Sequence, residues 1–216
     1  MPIKAEASQS NTPPVSVGSH QAVCYGVVAI GTQPSEKFTP RKKVVILWEL
    51  PHERGDFGEK KNVPRVISKR YTLSLSSDKA TLRKDLENWR GKPFSDAEIG
   101  SFEIDRLIGA NCLLAVQHES KGIKTYANVT AVMPLTKGMP KANQETPRLY
   151  FNLDEALERA LIENAPVYFP PEMPEWLVNL AKASEEYIAH AGGGSKPSAA
   201  PSQPEPTPAN DEAVPF

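Results

Sequence analysis

Arg41-Lys42-Lys43-Val44-Val45-Ile46-Leu47-Trp48-Glu49-Leu50-Pro51 is the stretch from which the fold is read. Three cations lead into a run of apolar, largely β-branched residues, and Pro51, which has no N–H for a ladder, stops it. This predicts a strand with a basic entrance. Upstream, residues 21–31 (Gln-Ala-Val-Cys-Tyr-Gly-Val-Val-Ala-Ile-Gly) form a second β-branched run, broken by Gly26, which suits a bent strand. Downstream, the hydrophilic residues between Pro51 and Pro64 include Gly55 and Gly58 and read as a long hairpin loop that exposes Phe57. A third strand is predicted over residues 65–75, with Ile67, Leu73 and Leu75 on one parity and Arg70, Thr72 and Ser74 on the other. Lys69 and Tyr71 share the apolar parity, which predicts a bulge or an edge position there.

Beyond these strands the period changes to that of a helix. Ser76, Ser77 and Asp78 are N-cap candidates for a segment in which Leu82, Leu86 and Trp89 recur at helical spacing and which Gly91 and Pro93 close. Ser95-Asp96-Ala97-Glu98 is a capping box for another short helix, and Gly109 ends an apolar cluster of Ile104, Leu107 and Ile108. Two more strands follow, over residues 112–118 and 124–133, the latter with Ala127, Val129, Ala131 and Met133 inward and Lys124, Tyr126, Asn128 and Thr130 outward. Three strands, a helical connection and two strands is the order of an OB-fold, a five-stranded, partly open barrel. The predicted class is therefore mainly β, with helices between strands three and four and after strand five, and a disordered C-terminal tail.

Four regions follow from this reading. Residues 1–19 read as a flexible arm, 20–135 as the barrel, 136–190 as a helical extension, and 191–216 as a disordered linker ending in an acidic tip. In the extension, Asn152 and Glu155 are a possible cap pair ahead of Leu157 and Leu161, and Pro166 ends that helix. A second helix from near Pro174 carries Trp176, Leu177, Leu180, Tyr187 and Ile188 on one face, for docking on the barrel or on a second subunit.

At 216 residues, 39% hydrophobic and 24% charged, the chain has one ordinary core and residues to spare. The net charge of −1 conceals segregation: residues 60–70 hold five cations and no acid, whereas nothing after Lys196 is basic. Cys24 and Cys112 read as reduced core thiols of a cytoplasmic protein, and the N-terminus has no secretory pattern. No membrane span is expected. His52-Glu53 and His118-Glu119 lack metal-ligand spacing, and the sequence contains no phosphate-cradling Gly loop and no Gly-x-Ser-x-Gly elbow. Neither catalysis, nor a metal, nor a cofactor is expected.

Binding single-stranded nucleic acid requires cations for phosphates and aromatic faces for bases. Arg41, Lys42, Lys43, Lys60, Lys61, Arg65, Lys69 and Arg70 flank strands two and three, interleaved with Trp48, Phe57 and Tyr71, and Lys124 and Tyr126 lie on the outer parity of strand five. Trp48 and Tyr71 each admit a second reading, as core residues. The last six residues, Asp211, Glu212, Ala213, Val214, Pro215 and Phe216, place two carboxylates before an apolar plug. A terminal Phe offers a ring and an α-carboxylate to one partner pocket, which is peptide capture by a chain end.

This tip resembles that of bacterial single-stranded-DNA-binding proteins, with Glu212 and Ala213 where the bacterial pattern has further Asp. Tyr71-Thr72-Leu73-Ser74-Leu75, Trp89-Arg90-Gly91-Lys92-Pro93-Phe94 and Tyr126-Ala127-Asn128-Val129 resemble pieces of phage-encoded members of that family. The resemblance implies a phage or mobile-element protein in the bacterial cytoplasm or nucleoid. It would coat and protect single strands in replication, recombination and repair and recruit partner enzymes through the tip; a homo-oligomer is the expectation if the helical extension docks on a second subunit. A protein-interaction adaptor with a non-DNA-binding barrel and a strand-annealing recombination protein are the alternatives.

Overall fold

Between Val44 and Leu50 every position except Glu49 is apolar, so this strand must be covered on both faces. The computed structural model, which describes residues 13–36, 38–122 and 124–192, has that arrangement. β1 (Gly18–Gln33), β2 (Arg41–Phe57) and β3 (Lys60–Thr72) form an antiparallel meander, and β4 (Asn111–Lys121) and β5 (Lys124–Met133) form a hairpin. β4 pairs with β1, giving one curled antiparallel sheet of order β3-β2-β1-β4-β5. A short sixth strand, β6 (Leu149–Asn152), pairs in parallel with residues 26–29 of β1, on the edge that β4 leaves after Val23.

The two faces of the sheet carry separate cores. Ala22, Cys24, Val44, Ile46, Trp48 and Leu50 point into the curl, where α1 (Thr81–Arg90) contributes Leu82, Leu86 and Trp89 and packs against β3 and β5. Val28, Ile30, Val45 and Leu47 point outward and are covered by β6, α3 (Leu153–Glu163) and α4 (Glu175–Lys182), through Leu149, Phe151, Leu157 and Leu177. Between α1 and β4 lie the short α2 (Asp96–Ile99) and a 3₁₀ turn (Ile104–Leu107). Each fully buried Leu, Ile or Val contributes about 1.5–3 kcal/mol of transfer free energy. Both layers therefore stabilise the same pair of central strands.

One bulge makes this double use possible. Cys24 pairs with Trp48 and Gly26 with Leu47, so Tyr25 is an extra residue that reverses the side-chain parity of β1. Gly26 then sits under Leu149, where a Cβ would lie 2.9 Å from Leu47 Cδ1 and 3.1 Å from Leu149 O. At the far end of β1, Gly31 has φ +72°, and Glu186 of α5 (Glu185–His190) accepts from Thr32 N and Oγ1 at 2.7 and 2.6 Å. Glu49, fully buried on the outer face, accepts from Glu145 N and Thr146 N at 2.7 and 2.6 Å and so holds the connection after β5 onto the sheet.

Several expectations need correction. Pro51 does not end β2; it sits in a bulge between Leu50 and Arg54, where a missing N–H is tolerated, and the expected loop is a ladder that extends to Phe57 and Lys60. Of the two alternatives for Lys69 and Tyr71, the strand order has the edge position and no bulge lies there; both side chains meet Asp85 of α1. Ser77 spends its side chain on Lys79 N in a local turn, so α1 starts after Ala80 with no side-chain cap. Thr130 is an extra residue in β5, so Val132 rather than Ala131 or Met133 faces inward. The second helix of the extension is two, α4 and α5, because Ser184 donates to Ala181 O and caps Tyr187 N; both dock on the outer face of this chain's own sheet.

The expected arm is anchored at Val15, which joins the inner core; His118 Nε2 lies 2.7 Å from Val15 O, and Arg65 donates to the Pro13 and Pro14 carbonyls. The tip and its linker lie outside the described residues. No helix among the described residues is long and apolar enough to cross a membrane.

Two measurements check this packing. Gly26→Ala should cost about 1–3 kcal/mol in urea unfolding through overpacking, and Leu177→Ala about 2–5 kcal/mol through a cavity. In the Ser95 capping box, the Ser95 backbone N–H first and then Arg90 hold the Glu98 carboxyl at about 2, below its ordinary 4.5. A depressed carboxyl stabilises the fold above its unfolded pKa, and the effect is lost as pH falls through the folded one. The stability gap between wild type and Glu98→Gln should be constant above about pH 5 and shrink towards pH 2.

Candidate nucleic-acid interface

Strand register sorts the predicted contact residues by face. Trp48, Lys69, Tyr71 and Arg65 belong to the inner parity of β2 and β3, whereas Lys43 and Arg70 belong to the outer one. Trp48 is fully buried, its ring 6.0 Å from that of Trp89. Tyr71 is buried as well, and its hydroxyl donates to Asp85 Oδ2 at 2.8 Å while Lys69 Nζ meets the same oxygen at 2.7 Å. Burial first, then the Asp85 charge, pushes the Tyr71 phenol well above its ordinary range. Of the two readings of Trp48 and Tyr71, the structure has the core one. Arg65 is similarly committed, to the chain crossing the mouth of the curl. Trp48 and Tyr71 are buried, and the half-buried Lys69 and Arg65 have their charged ends bound to the chain itself.

The remaining candidates lie at the surface in three groups. Phe57 is exposed at the tip of the β2–β3 hairpin, with exposed Lys60 and Lys61 across the turn. Lys124 is exposed and Tyr126 half-buried on the β4–β5 hairpin, where Tyr126 faces Glu119 across the ladder. Arg41, Lys42 and Lys43 begin β2, with half-buried Arg70 farther along the outer face. The first and third groups lie at opposite ends of β2, on the order of 45 Å apart along an extended strand.

Ion pairing separates these cations from Lys69. Lys61 meets Asp56 at 3.2 Å and Lys42 meets Asp154 at 2.5 Å, the first pair mostly exposed and the second about half exposed. Exposed pairs are worth about 0–1 kcal/mol, so a phosphate can displace the carboxylate at little cost. Breaking a buried pair such as Lys69–Asp85 costs about 3–5 kcal/mol, which no single phosphate contact would repay.

At the start of β2 the concave side of the sheet opens into a depression of about 130 Å³, lined by Val27, Lys42, Leu73, Ile104, Tyr150 and Asn152 among others. Tyr150 belongs to β6, which the sequence reading did not foresee. Its only signal is the three-residue run Leu149-Tyr150-Phe151 before the Asn152 cap, too short to register as a strand. A second depression, of about 220 Å³, lies beside Arg90, whose guanidinium is 4.1 Å over the Phe94 ring and paired with Glu98. Among the described residues, no three His, Cys, Asp or Glu side chains gather to hold a metal ion. Burial pushes the Cys24 thiol up to about 12 and raises that of Cys112, which leaves neither reactive at neutral pH.

Asp85→Ala should destabilise the fold by about 3–5 kcal/mol in urea unfolding, because it strands Lys69 and the Tyr71 hydroxyl in the core. Lys69→Met should change any nucleic-acid affinity far less than it changes the unfolding midpoint.

In comparisons with known proteins, no family model matches the chain and no curated protein matches it.

Proposed function

We propose that this chain is a single-stranded-DNA-binding protein of the OB-fold class, which coats unwound DNA and recruits partner enzymes through its C-terminal tip. The observation that carries the reading is the strand order β3-β2-β1-β4-β5, with a helix from the β3–β4 connection packed against β3 and β5. This order is consistent with an OB-fold, and such barrels present strand faces and loops to oligonucleotides. Fold alone does not assign function. The second support is chemical: exposed Phe57, Lys60 and Lys61 on one hairpin and exposed Arg41 and Lys42 at the other end of β2 supply a ring face and surface cations. The tip adds a partner-binding element from sequence alone, tethered by a Pro- and Ser-rich linker. A phage or mobile-element origin and action in the bacterial cytoplasm belong to the same proposal.

A second reading, as a protein-interaction module, draws on Leu161, Ile162 and Tyr168, which expose apolar surface around the end of α3. Such a surface suits a protein partner or a second copy, and it occupies a different layer from the cationic groups.

Trp48 and Trp89 are buried and Trp176 packs on the outer layer, so intrinsic fluorescence is a poor reporter and a labelled oligo-dT strand with anisotropy detection is the better assay. Affinity should fall with salt at a logarithmic slope of about −0.7 per phosphate contact, and the Lys60→Ala/Lys61→Ala pair should flatten that slope by roughly 1.4. Phe57→Ala should lose about 1–3 kcal/mol of binding with an unchanged melting temperature. Absence of binding at low salt, or equal affinity for duplex, would favour the protein-interaction reading.

A further inference from the structure

We propose that Tyr150 of β6 is a base-stacking platform and that Lys42 takes the adjoining phosphate, so that one nucleotide of a single strand seats in the depression at the start of β2. This rests on the single-strand reading above and names where on the sheet the strand is held. Three observations converge. Parity sets the face: Leu149 and Phe151 are buried in the outer core, so Tyr150 and Asn152 turn to the opposite, concave side, where Tyr150 stands level with Val27. Lys42 lies on the same parity of β2 as Val44 and Ile46, which are inner-core residues, and it too lines the depression. At this end the concave face is open, with apolar Val27, Leu73 and Ile104 as its floor and walls.

The ring is held before any ligand arrives. Tyr150 is 41% exposed, yet its hydroxyl donates to Glu155 Oε1 at 3.0 Å, and α3 begins directly after β6, so the ring is fixed at its far end while its body stays accessible. A preorganised aromatic loses little side-chain entropy on stacking. Lys42 pairs with Asp154 at a half-exposed position and is attracted at longer range by Glu186, and an exposed pair of this kind is weak enough to exchange for a phosphate oxygen.

The polar groups beside the ring are committed to one another. Asn152 Nδ2 donates to Glu155 Oε1 at 2.8 Å, and Asn152 Oδ1 accepts from Asp154 N at 3.1 Å. With the Tyr150 hydroxyl bound as well, each of these groups already has a partner within the site, which weakens its capacity to read a base edge. Stacking here should be sequence-tolerant.

The test is anisotropy with labelled oligo-dT, oligo-dC and an abasic strand of equal length, for the full chain and for Tyr150→Ala, Tyr150→Leu and Tyr150→Phe. Tyr150→Ala and Tyr150→Leu should bind dT and dC about five- to 150-fold more weakly, by the same factor for both, and the abasic strand unchanged. Tyr150→Phe should stay within about twofold of wild type, because the ring remains. Thermal melts accompany each variant, and Tyr150→Leu keeps the apolar bulk should Tyr150→Ala unfold. If wild type binds single strands and both truncations bind them equally well, the platform is overturned while the single-strand reading stands. An equal loss on the abasic strand overturns stacking. If wild type binds no single strand, this inference and the reading beneath it fall together.

Discussion

Where β1 passes Leu149 there is no room for a Cβ, and the rest of the architecture depends on that contact. Gly26 lets the backbone of β1 approach β6, and the extra residue Tyr25 beside it reverses the parity of the strand. A strand that bends and changes face can serve the curl with Ala22 and Cys24 and the outer layer with Val28 and Ile30. Without the bulge, one of the two cores would receive the wrong set of side chains. β6 in turn ends at Asn152, whose side chain caps α3, so the closeness at Gly26 positions the helical layer as well.

Electrostatics follow burial in this protein. Asp85 is buried with two partners, and Glu49 is buried with both oxygens bound to backbone N–H groups, so each carboxylate is satisfied where desolvation is expensive. Lys42 and Lys61 hold their carboxylates in water, where attraction is screened. The same residue types thus divide into a structural set inside the curl and an exchangeable set on its rim. A nucleic acid can recruit only the second set without loosening the fold.

How far the sequence speaks depends on the range of the interaction that decides each feature. The order of strands one to five and the Ser95 box are set by local period and by capping, and these were readable; β5 runs from Lys124 to Met133 as expected. Parity beyond a bulge is decided by the partner strand, and so Val132 was misassigned. The length of the β2–β3 hairpin was missed because Pro51 terminates strands in general but not at a bulge. At the candidate site, composition found the cations and Phe57. It could not separate Lys69, Tyr71 and Trp48 from them, because tertiary packing takes those three out of water: Asp85 of α1 holds Lys69 and Tyr71, and Trp48 lies in the inner core against Trp89. Tyr150 escaped because a four-residue parallel strand depends on a partner more than 120 residues earlier, and no local period marks it.

The central claim is that a single strand engages the rim and concave end of the sheet and leaves the α3–α5 layer untouched. Hydroxyl-radical footprinting of the full chain, with and without saturating oligo-dT, tests it at residues of known exposure. The account predicts that oxidation of Phe57 and Tyr150 falls on binding while that of Tyr168, 66% exposed on the outer layer, is unchanged. Protection of Tyr168 with Phe57 and Tyr150 unaffected would contradict it.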